Sequence, residues 1–348
     1  MAVDSGAADV VRLLLQSRIS ANAVELGERP PLHRAIRDSR MEIVDVLCAH
    51  PETDVDAQDA RGSTALHEAV QQRSAATVQV LLDRRAAPAL PDARGWTPLH
   101  HAAQCGDLSS ARGLLRSCAP VDGPPPEEPG GVVATWTPLH LLLARGDEAA
   151  VDQLLQWRAD PCRRAGPDAM NPLMLAVSLG HVEVARLLLG LEEVARHVDE
   201  QDARGRCALH FAVITPSAAN AAVRMLLEVH ASPNLRSDAG QTPYDAARNA
   251  GVPEHSPVIK RLQVEEAVRL VMQRCRCRAQ KRYDEAEMVR NDLRLRGVTL
   301  DIQTEQWALP DGTWGYLAAE RRRAQAQGGP GCLSASPADA ALAPAEGT

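Results

Sequence analysis

The sequence predicts an all-α repeat solenoid followed by a small C-terminal α+β module. A four-residue pattern close to Thr-Pro-Leu-His recurs every 33 to 40 residues, and most copies precede a second apolar stripe at helical spacing. Aromatic residues make up only 3% of the chain, with a single Phe, so Leu, Val and Ala must build the core. The net charge is −9 over residues 1–257 and +5 over residues 258–296, which indicates two regions with different roles.

Each repeat is predicted to contain a turn, a first helix, a short link and a second helix. In one copy the Thr97 hydroxyl can cap the first helix, and Pro98 takes the first helical position, where no N–H donor is needed. A turn is predicted at residues 92–95, just before that cap, because Asp favours the start of such a turn and Gly can adopt the positive φ that it requires. The recurring segments are Pro30–His33, Thr64–His67, Thr97–His100, Thr137–His140, Asn171–Met174, Cys207–His210 and Thr242–Asp245.

These segments resemble ankyrin repeats over roughly residues 7–251. The resemblance implies L-shaped units whose hairpins project from paired antiparallel helices, stacked into a curved array. It also implies that the recurring histidine bonds the capping hydroxyl and the backbone and so joins neighbouring hairpins. These histidines are His33, His67, His100, His140 and His210. Met174 departs from this pattern, while Tyr244 and Asp245 make the last copy similar to a terminal capping repeat.

The predicted domains are a repeat array over residues 1–256, a module over residues 257–323 and a disordered tail over residues 324–348. The array is expected to hold about seven repeats, plus a partial N-terminal one at residues 8–15. A loop insertion is expected at residues 119–135, where Pro and Gly cluster. The start in mid-repeat fits either a degenerate cap or a truncated gene model. No secretory signal is expected at the N-terminus.

The C-terminal module is predicted to contain helices at about 257–280 and 282–296, a stop at Gly297, a strand at 298–302 and a β-hairpin within 306–317. The run Lys281–Arg290, followed by Leu293, Gly297-Val298 and Leu300-Asp301, makes residues 258–317 similar to the small C-terminal domain of cysteinyl-tRNA synthetases. That resemblance implies contact with RNA, without aminoacylation, because the nucleotide-binding signatures are absent. Alternatively, the basic residues form a solvated helix face or dock onto the acidic array. The residues expected on RNA phosphates are Arg274, Arg276, Arg278, Lys281 and Arg282.

Signatures of catalysis and of metal binding fail on inspection. No Gly-Lys dipeptide exists, which excludes a P-loop, and Gln71 stands where a zincin motif starting at His67 needs its second His. Cys275 and Cys277 have no ligand partners at zinc-finger spacing. We therefore expect no enzyme activity, no cofactor and no metal. The scattered cysteines are expected to be reduced thiols, which favours a cytoplasmic protein with the nucleus as an alternative, and no apolar run is long enough for membrane insertion.

A partner-binding surface is predicted at the hairpin tips and the ends of the first helices, by position in the repeat family. Trp96 and Trp136 occupy equivalent places and are expected either to form one apolar patch, flanked by Arg94 and Arg145, or to pack on neighbouring hairpins. Trp, Met and Arg are enriched at interface cores. The full predicted set is Arg61, Ser63, Gln71, Gln72, Arg94, Trp96, Gln104, Trp136, Arg145, Met170, Arg204, Arg206 and Gln241.

The function predicted from these features is that of a non-catalytic scaffold or adaptor that binds a protein partner along the concave face of the array. Two alternatives stay open. The chain could be an RNA-associated adaptor whose C-terminal module contacts RNA. It could also be a fragment or regulatory part of a larger ankyrin-containing enzyme.

Overall fold

The computed structural model describes residues 3, 7–17, 19–22, 29–123, 136–215, 218–253, 256–295, 298–301, 306–309 and 314–316. The chain divides into two compact units. The first holds Met1–Ala231 and Arg236–Gly240, and the second holds Ser232–Leu235 and Gln241–Thr348. Residues 124–135 of the predicted insertion, the predicted stop at Gly297 and the predicted tail at 324–348 lie outside the described residues.

The first unit is a stack of paired helices, in which the first helix of each repeat packs on the first helix of the next. The first helices are α2 (Pro31–Arg37), α4 (Ala65–Gln71), α6 (Pro98–Cys105), α8 (Pro138–Arg145), α10 (Pro172–Ser178) and α13 (Ala208–Ile214). The second helices are α1 (Ala8–Gln16), α3 (Met41–Ala49), α5 (Ala75–Asp83), α7 (Leu108–Arg116), α9 (Glu148–Gln156), α11 (Val182–Leu189) and α14 (Ala219–Glu228), and a short α12 (Glu192–Arg196) follows α11. This architecture confirms the predicted all-helical repeat solenoid.

The core of the stack comes from the apolar position inside each recurring motif. Leu66, Leu99, Leu139 and Leu173 occupy this position, and each is at most 1% exposed. Burying a leucine side chain stabilises a fold by about 1.5–3 kcal/mol. The repetition of this residue therefore makes every repeat depend on its neighbours for the burial of its core.

The hairpin turns keep a fixed shape because an Asp carboxylate holds the backbone from inside. Oδ1 of Asp59 accepts hydrogen bonds from the backbone N–H groups of Arg61 (2.8 Å) and Ser63 (2.9 Å). Gly62 completes that turn at φ +70°, a left-handed conformation that favours glycine. Successive turns then bond to each other, since the N–H of Ala93 donates to the carbonyl of Arg61 over 2.9 Å.

In its described residues, the second unit has three helices and three short strands. The helices are α15 (Pro243–Asn249), α16 (Pro257–Ala279) and α17 (Tyr283–Leu295), and the strands are β1 (Thr299–Asp301), β2 (Gln306–Ala308) and β3 (Trp314–Tyr316). The strands form an antiparallel sheet in the order β1-β2-β3. Val271, Leu293, Val298 and Trp307 are buried together between the two long helices and the sheet. None of the helices in the described part of the chain is long and apolar enough to cross a membrane.

Candidate partner-binding surface

The described hairpin turns and the exposed sides of the first helices of the first unit are together called here the hairpin–helix surface. It comprises the turns at residues 59–63, 92–96, 166–170 and 202–206 and helices α2, α4, α6, α8, α10 and α13. Of the residues predicted on it, those that are exposed are Arg61, Gln71, Gln72, Arg94, Gln104, Arg145 and Arg204. Those that are half-buried are Trp96, Trp136, Met170 and Arg206; Gln241, also half-buried, belongs to the second unit.

Ser63 requires a correction, because its side chain does not lie open on this surface. The residue is only 8% exposed, at the foot of its turn. Its carbonyl bonds Nε2 of His33 at 2.8 Å, and its N–H is held by Asp59. Ser63 therefore links two repeats and does not present a side chain to a partner.

The recurring histidines lock each hairpin to the next. The N–H of Thr64 donates to Nδ1 of His67 over 3.0 Å, so Nε2 carries the proton and donates to the carbonyl of Trp96 over 3.0 Å. His140 bonds the Thr137 hydroxyl at 2.7 Å and the carbonyl of Met170 at 3.1 Å. This geometry confirms, for His67 and His140, the structural role predicted for the recurring histidines.

Burial sets the charge state of these histidines. Desolvation lowers the pKa of His67, His100 and His140 to about 4, and the hydrogen bonds to backbone carbonyls only partly oppose it. Each ring is therefore neutral at neutral pH. A neutral imidazole with both nitrogen atoms engaged holds structure and has no free nitrogen for acid–base chemistry.

Two repeats depart from this arrangement at the capping position. Pro30 offers neither an N–H nor a hydroxyl, and Nδ1 of His33 is buried without a hydrogen-bond partner. In another repeat Cys207 replaces Thr, and its Sγ lies 3.1 Å from Nδ1 of His210. Burial raises the pKa of that thiol to about 11, so it stays protonated and can donate.

A network of polar side chains, formed by Gln71, Asp92 and His101, joins the second repeat (from Thr64) to the third (from Thr97). Nε2 of His101 lies 3.0 Å from Oδ2 of Asp92, and Nδ1 of His101 lies 3.5 Å from Nε2 of Gln71. Oδ1 of the same Asp92 accepts the N–H groups of Arg94 and Trp96, both over 2.9 Å. Although burial alone would raise the pKa of Asp92, the bonds from His101 and from these backbone groups lower it.

His67, Asp92 and His101 place potential metal-ligand atoms within 4.8 Å of one another. Both nitrogen atoms of His67 already hold its repeat to the next one, and His101 is bonded to Asp92. A metal would displace these bonds, so the donor set fits a hydrogen-bond network better than a metal centre. Sequence reasoning missed this network, although the His-His pair at residues 100–101 distinguishes this repeat from the others.

Each tryptophan of the surface packs beside the histidine four residues later, Trp96 beside His100 and Trp136 beside His140. The ring of Trp96 stacks on His100 with centroids 6.2 Å apart and meets His101 edge-on at 5.3 Å. Trp136 covers the next hairpin so closely that a Cβ at Gly166 would lie 2.2 Å from its Nε1. Trp136 therefore packs on a neighbouring hairpin, the alternative that the sequence left open, whereas Trp96 lies beside the polar network.

Most arginines of the surface are engaged within the first unit. Nη1 of Arg145 donates to the carbonyl of Gln104 over 3.0 Å. Arg204 pairs with Asp168 at 3.2 Å, and Arg206 pairs with the buried Asp202 at 2.7 Å. The exposed guanidinium groups of Arg61 and Arg94 neither donate a hydrogen bond nor form an ion pair within the described residues.

In the second unit, the basic residues predicted to contact RNA differ in their exposure to solvent. Arg274 requires a correction, since it is 4% exposed, its Nε has no partner and burial lowers its pKa. Arg282 forms an ion pair with Glu285. The remaining three, Arg276, Arg278 and Lys281, are exposed. Arg274 lies near α17, because the charges of Glu287 and Arg290 on that helix act on its guanidinium group.

Comparison with known proteins supports ankyrin repeats in this chain. A family model described as "Ankyrin repeats (3 copies)" matches residues 51–127 and 125–198. Rabankyrin-5 from mouse and from human is 27% and 28% identical to this chain over 156 residues, or 44% of this chain. The chain covers 13% of the length of these curated relatives.

Solved structures show the same fold. The ankyrin repeat domain of human ASB11 superposes with a TM-score of 0.53 at 23% identity and covers 68% of this chain and 97% of that chain. The ankyrin repeat domain of Bcl-3, described as a unique member of the IkappaB protein family, superposes with a TM-score of 0.52 at 25% identity. The match covers 63% of this chain and 94% of the Bcl-3 chain. The chain thus contains an ankyrin-repeat solenoid. These matches give no support to the predicted likeness of residues 258–317 to cysteinyl-tRNA synthetases, which stays a prediction.

Proposed function

We propose that this protein is a non-catalytic scaffold or adaptor that binds a protein partner through the hairpin–helix surface. The observation that carries the proposal is that buried hydrogen bonds support this surface from within, while varied side chains cover its outer side. Its foundation is rigid in the described repeats, because histidine and Asp side chains such as His67 and Asp92 hold their hairpin turns through backbone hydrogen bonds. Its outer side offers half-buried Trp96 together with exposed arginine and glutamine side chains. A rigid base with exposed, varied side chains is suited to recognition, since little ordering entropy is lost on binding.

The chemistry of the surface supports binding over catalysis. The buried histidines of the described repeats have both nitrogen atoms engaged or, at His33, no access to solvent. Buried Cys48 and Cys207 have pKa values raised to about 11 by desolvation, which suppresses their thiolates. These groups therefore stabilise the fold and supply neither an activated nucleophile nor a poised base.

Site-specific photo-crosslinking tests the proposal. A photoreactive benzoylphenylalanine is placed at Gln104, which is exposed on the hairpin–helix surface, and in a control at Gln79, which is exposed on the second helix α5. The crosslinked partners are identified by mass spectrometry. We expect the same partner to crosslink strongly at Gln104 and weakly at Gln79. Crosslinking that is equal at both positions, or confined to Gln79, would place the interface elsewhere.

The proposal includes a location in the reducing environment of the cytoplasm, with the nucleus as the alternative compartment. The described cysteines are all free thiols, and two of them, Cys48 and Cys207, are buried in the core of the repeats. Imaging of a fluorescent fusion in cells tests this location. A signal confined to the secretory pathway would contradict it.

A further inference from the structure

The two layers of the first unit differ in the number of acidic residues that they expose. Among the first helices, as the structure bounds them, the one acidic residue is Glu68, which is buried and forms an ion pair with Arg29 at 2.6 Å. The second helices, in contrast, expose a series of carboxylates. These are Asp9, Glu42, Asp45, Asp83, Glu148, Asp152, Glu183 and Glu228, and they outnumber the exposed arginines of the same helices, which are Arg12, Arg112, Arg116, Arg186 and Arg224. Anionic groups are therefore concentrated away from the hairpin–helix surface.

The hairpin turns sharpen this division of charge. The side chains of Asp59 and Asp92 are only 3% and 6% exposed, because they point into their own turns and accept backbone N–H groups. Arg61 and Arg94 stand two residues later in each turn and extend outward. Each turn thus hides its negative charge and presents its positive charge to solvent. At physiological salt, charges interact over about 8 Å, so this local pattern outweighs the net negative charge of the unit.

The spacing of the two arginines sets the length of a matching ligand. Their turns are direct neighbours, since the N–H of Ala93 bonds the carbonyl of Arg61. Adjacent helices pack about 8–10 Å apart, and an extended chain advances about 3.3 Å per residue, so neighbouring turns are separated by roughly three residues of an extended peptide. Trp96 follows Arg94 and offers a partly open aromatic face at the same turn.

From these features, we propose that the hairpin–helix surface of the second and third repeats binds an extended acidic segment of a partner protein. Two carboxylates three residues apart pair with Arg61 and Arg94, and an apolar side chain next to the second carboxylate packs on Trp96. Arginine forms bidentate hydrogen bonds with carboxylates, which gives the pair geometric as well as charge specificity. The inference rests on the proposed function and names the chemistry of its partner. A long polyanion such as a nucleic acid fits less well, because it would extend beyond the two arginines of this small patch.

A peptide titration with the full chain tests this inference. The probe is a fluorescein-labelled ten-residue peptide with two Glu residues three positions apart and a Leu after the second. The matched peptides replace both Glu by Gln, or place the two Glu side by side. Binding is followed by fluorescence anisotropy at low and physiological salt. We expect the spaced acidic peptide to bind best and the Gln peptide to bind at least about tenfold more weakly, a ratio equivalent to about 1.4 kcal/mol.

Paired variants separate local recognition from net charge. The variant Arg61→Gln with Arg94→Gln is expected to weaken binding about tenfold or more. The control, Arg112→Gln with Arg116→Gln, removes the same charge from the second helix α7 and is expected to change binding less than about twofold. The reversal Arg61→Glu with Arg94→Glu should instead bind a Lys version of the peptide. Circular dichroism melts of all variants verify that the repeats stay folded.

Each remaining outcome decides against the inference. Equal weakening by the two paired variants would show a non-specific charge effect. Tighter binding of a single-stranded oligonucleotide, lost with Arg61→Gln and Arg94→Gln, would assign the patch to nucleic acid. If partners still crosslink at Gln104 while no peptide shows dependence on its acids, the proposed function stands and its acidic specificity fails.

Discussion

The capping residue of each repeat determines whether the buried Nδ1 atom of the recurring histidine has a hydrogen-bond partner. Nδ1 of His67 receives the N–H and meets the hydroxyl of Thr64, whereas Nδ1 of His33 faces Pro30 and has no partner. An unpartnered buried polar atom costs about 1–3 kcal/mol. The repeat that begins at Pro30 is therefore less stable than its sequence pattern implies.

Replacing Pro30 should show this cost directly. We expect Pro30→Thr to be more stable than Pro30→Ala by about 1 kcal/mol, because both restore an N–H donor and Thr alone adds a capping hydroxyl. Denaturant midpoints of the two variants measure the difference. Equal midpoints would mean that water, and not a cap, satisfies His33.

Where the capping residue is Thr, as at His67 and His100, removal of the histidine is expected to destabilise the protein. We expect His67→Ala and His100→Ala each to lower the free energy of unfolding by about 1–3 kcal/mol, because the bonds to the next hairpin are lost. Gln72→Ala, on the exposed end of the same helix pair, is the matched control and should change stability by less than about 0.5 kcal/mol. Unchanged midpoints for both histidine variants would contradict their locking role.

At the scale of elements, the stacked turns demand glycine for two separate reasons. Gly62 has φ +70°, and a Cβ there would lie 2.8 Å from the N atom of Ala93 in the next turn. Gly240 has a similar φ of +74°, but a Cβ there would meet no atom within 4 Å. A comparison of Gly62 with Gly240 therefore distinguishes the cost of a positive φ from the cost of crowding between neighbouring turns.

Alanine substitution at the two glycines should therefore give different costs. Gly240→Ala is expected to lose about 1 kcal/mol through strain at positive φ. Gly62→Ala is expected to lose clearly more, about 2–4 kcal/mol, because the turns must also move apart. Thermal and chemical unfolding of both variants provide the measurement, and equal losses would show that the turns are not tightly stacked.

For the whole molecule, the buried histidines make stability depend on pH. Their pKa values in the folded protein are about 4, below the ordinary value of 6.5, so the unfolded chain binds protons between these limits and the folded chain does not. Stability is therefore complete above about pH 6.5 and is lost as the pH falls toward 4. Each histidine contributes up to about 1.4 kcal/mol per pH unit in this window.

Urea unfolding at pH 7, 6 and 5 should show a steady fall of the midpoint. The same series in His140→Gln should have a shallower slope, because one proton-linked group is removed. A wild-type midpoint that stays constant down to pH 5 would mean that the histidines already titrate normally in the fold. Acid loss confined to pH values below 4 would assign it to the carboxylates.

The sequence by itself determined the periodic part of this protein. A capping residue, a Pro at the first helical position, a buried Leu and a His recur at fixed spacing, and each acts over a few residues, so local chemistry predicts the paired helices. The locking role of the histidines followed from the ankyrin resemblance, and the hydrogen bonds confirm it. Helices α16 and α17 also lie within a few residues of their predicted bounds.

Tertiary structure decided which side chains of the surface are free. Arg61 and Arg204 stand at equivalent places in their turns, yet Arg204 meets Asp168 of the preceding turn and Arg61 meets no described partner. Trp136 likewise covers Gly166 of the next hairpin, a contact that its position in the repeat did not specify. These differences arise between repeats that are more than 30 residues apart in the chain. Local periodicity specifies where a side chain starts, and the neighbouring repeat, through packing and charge, specifies whether it remains available to a partner.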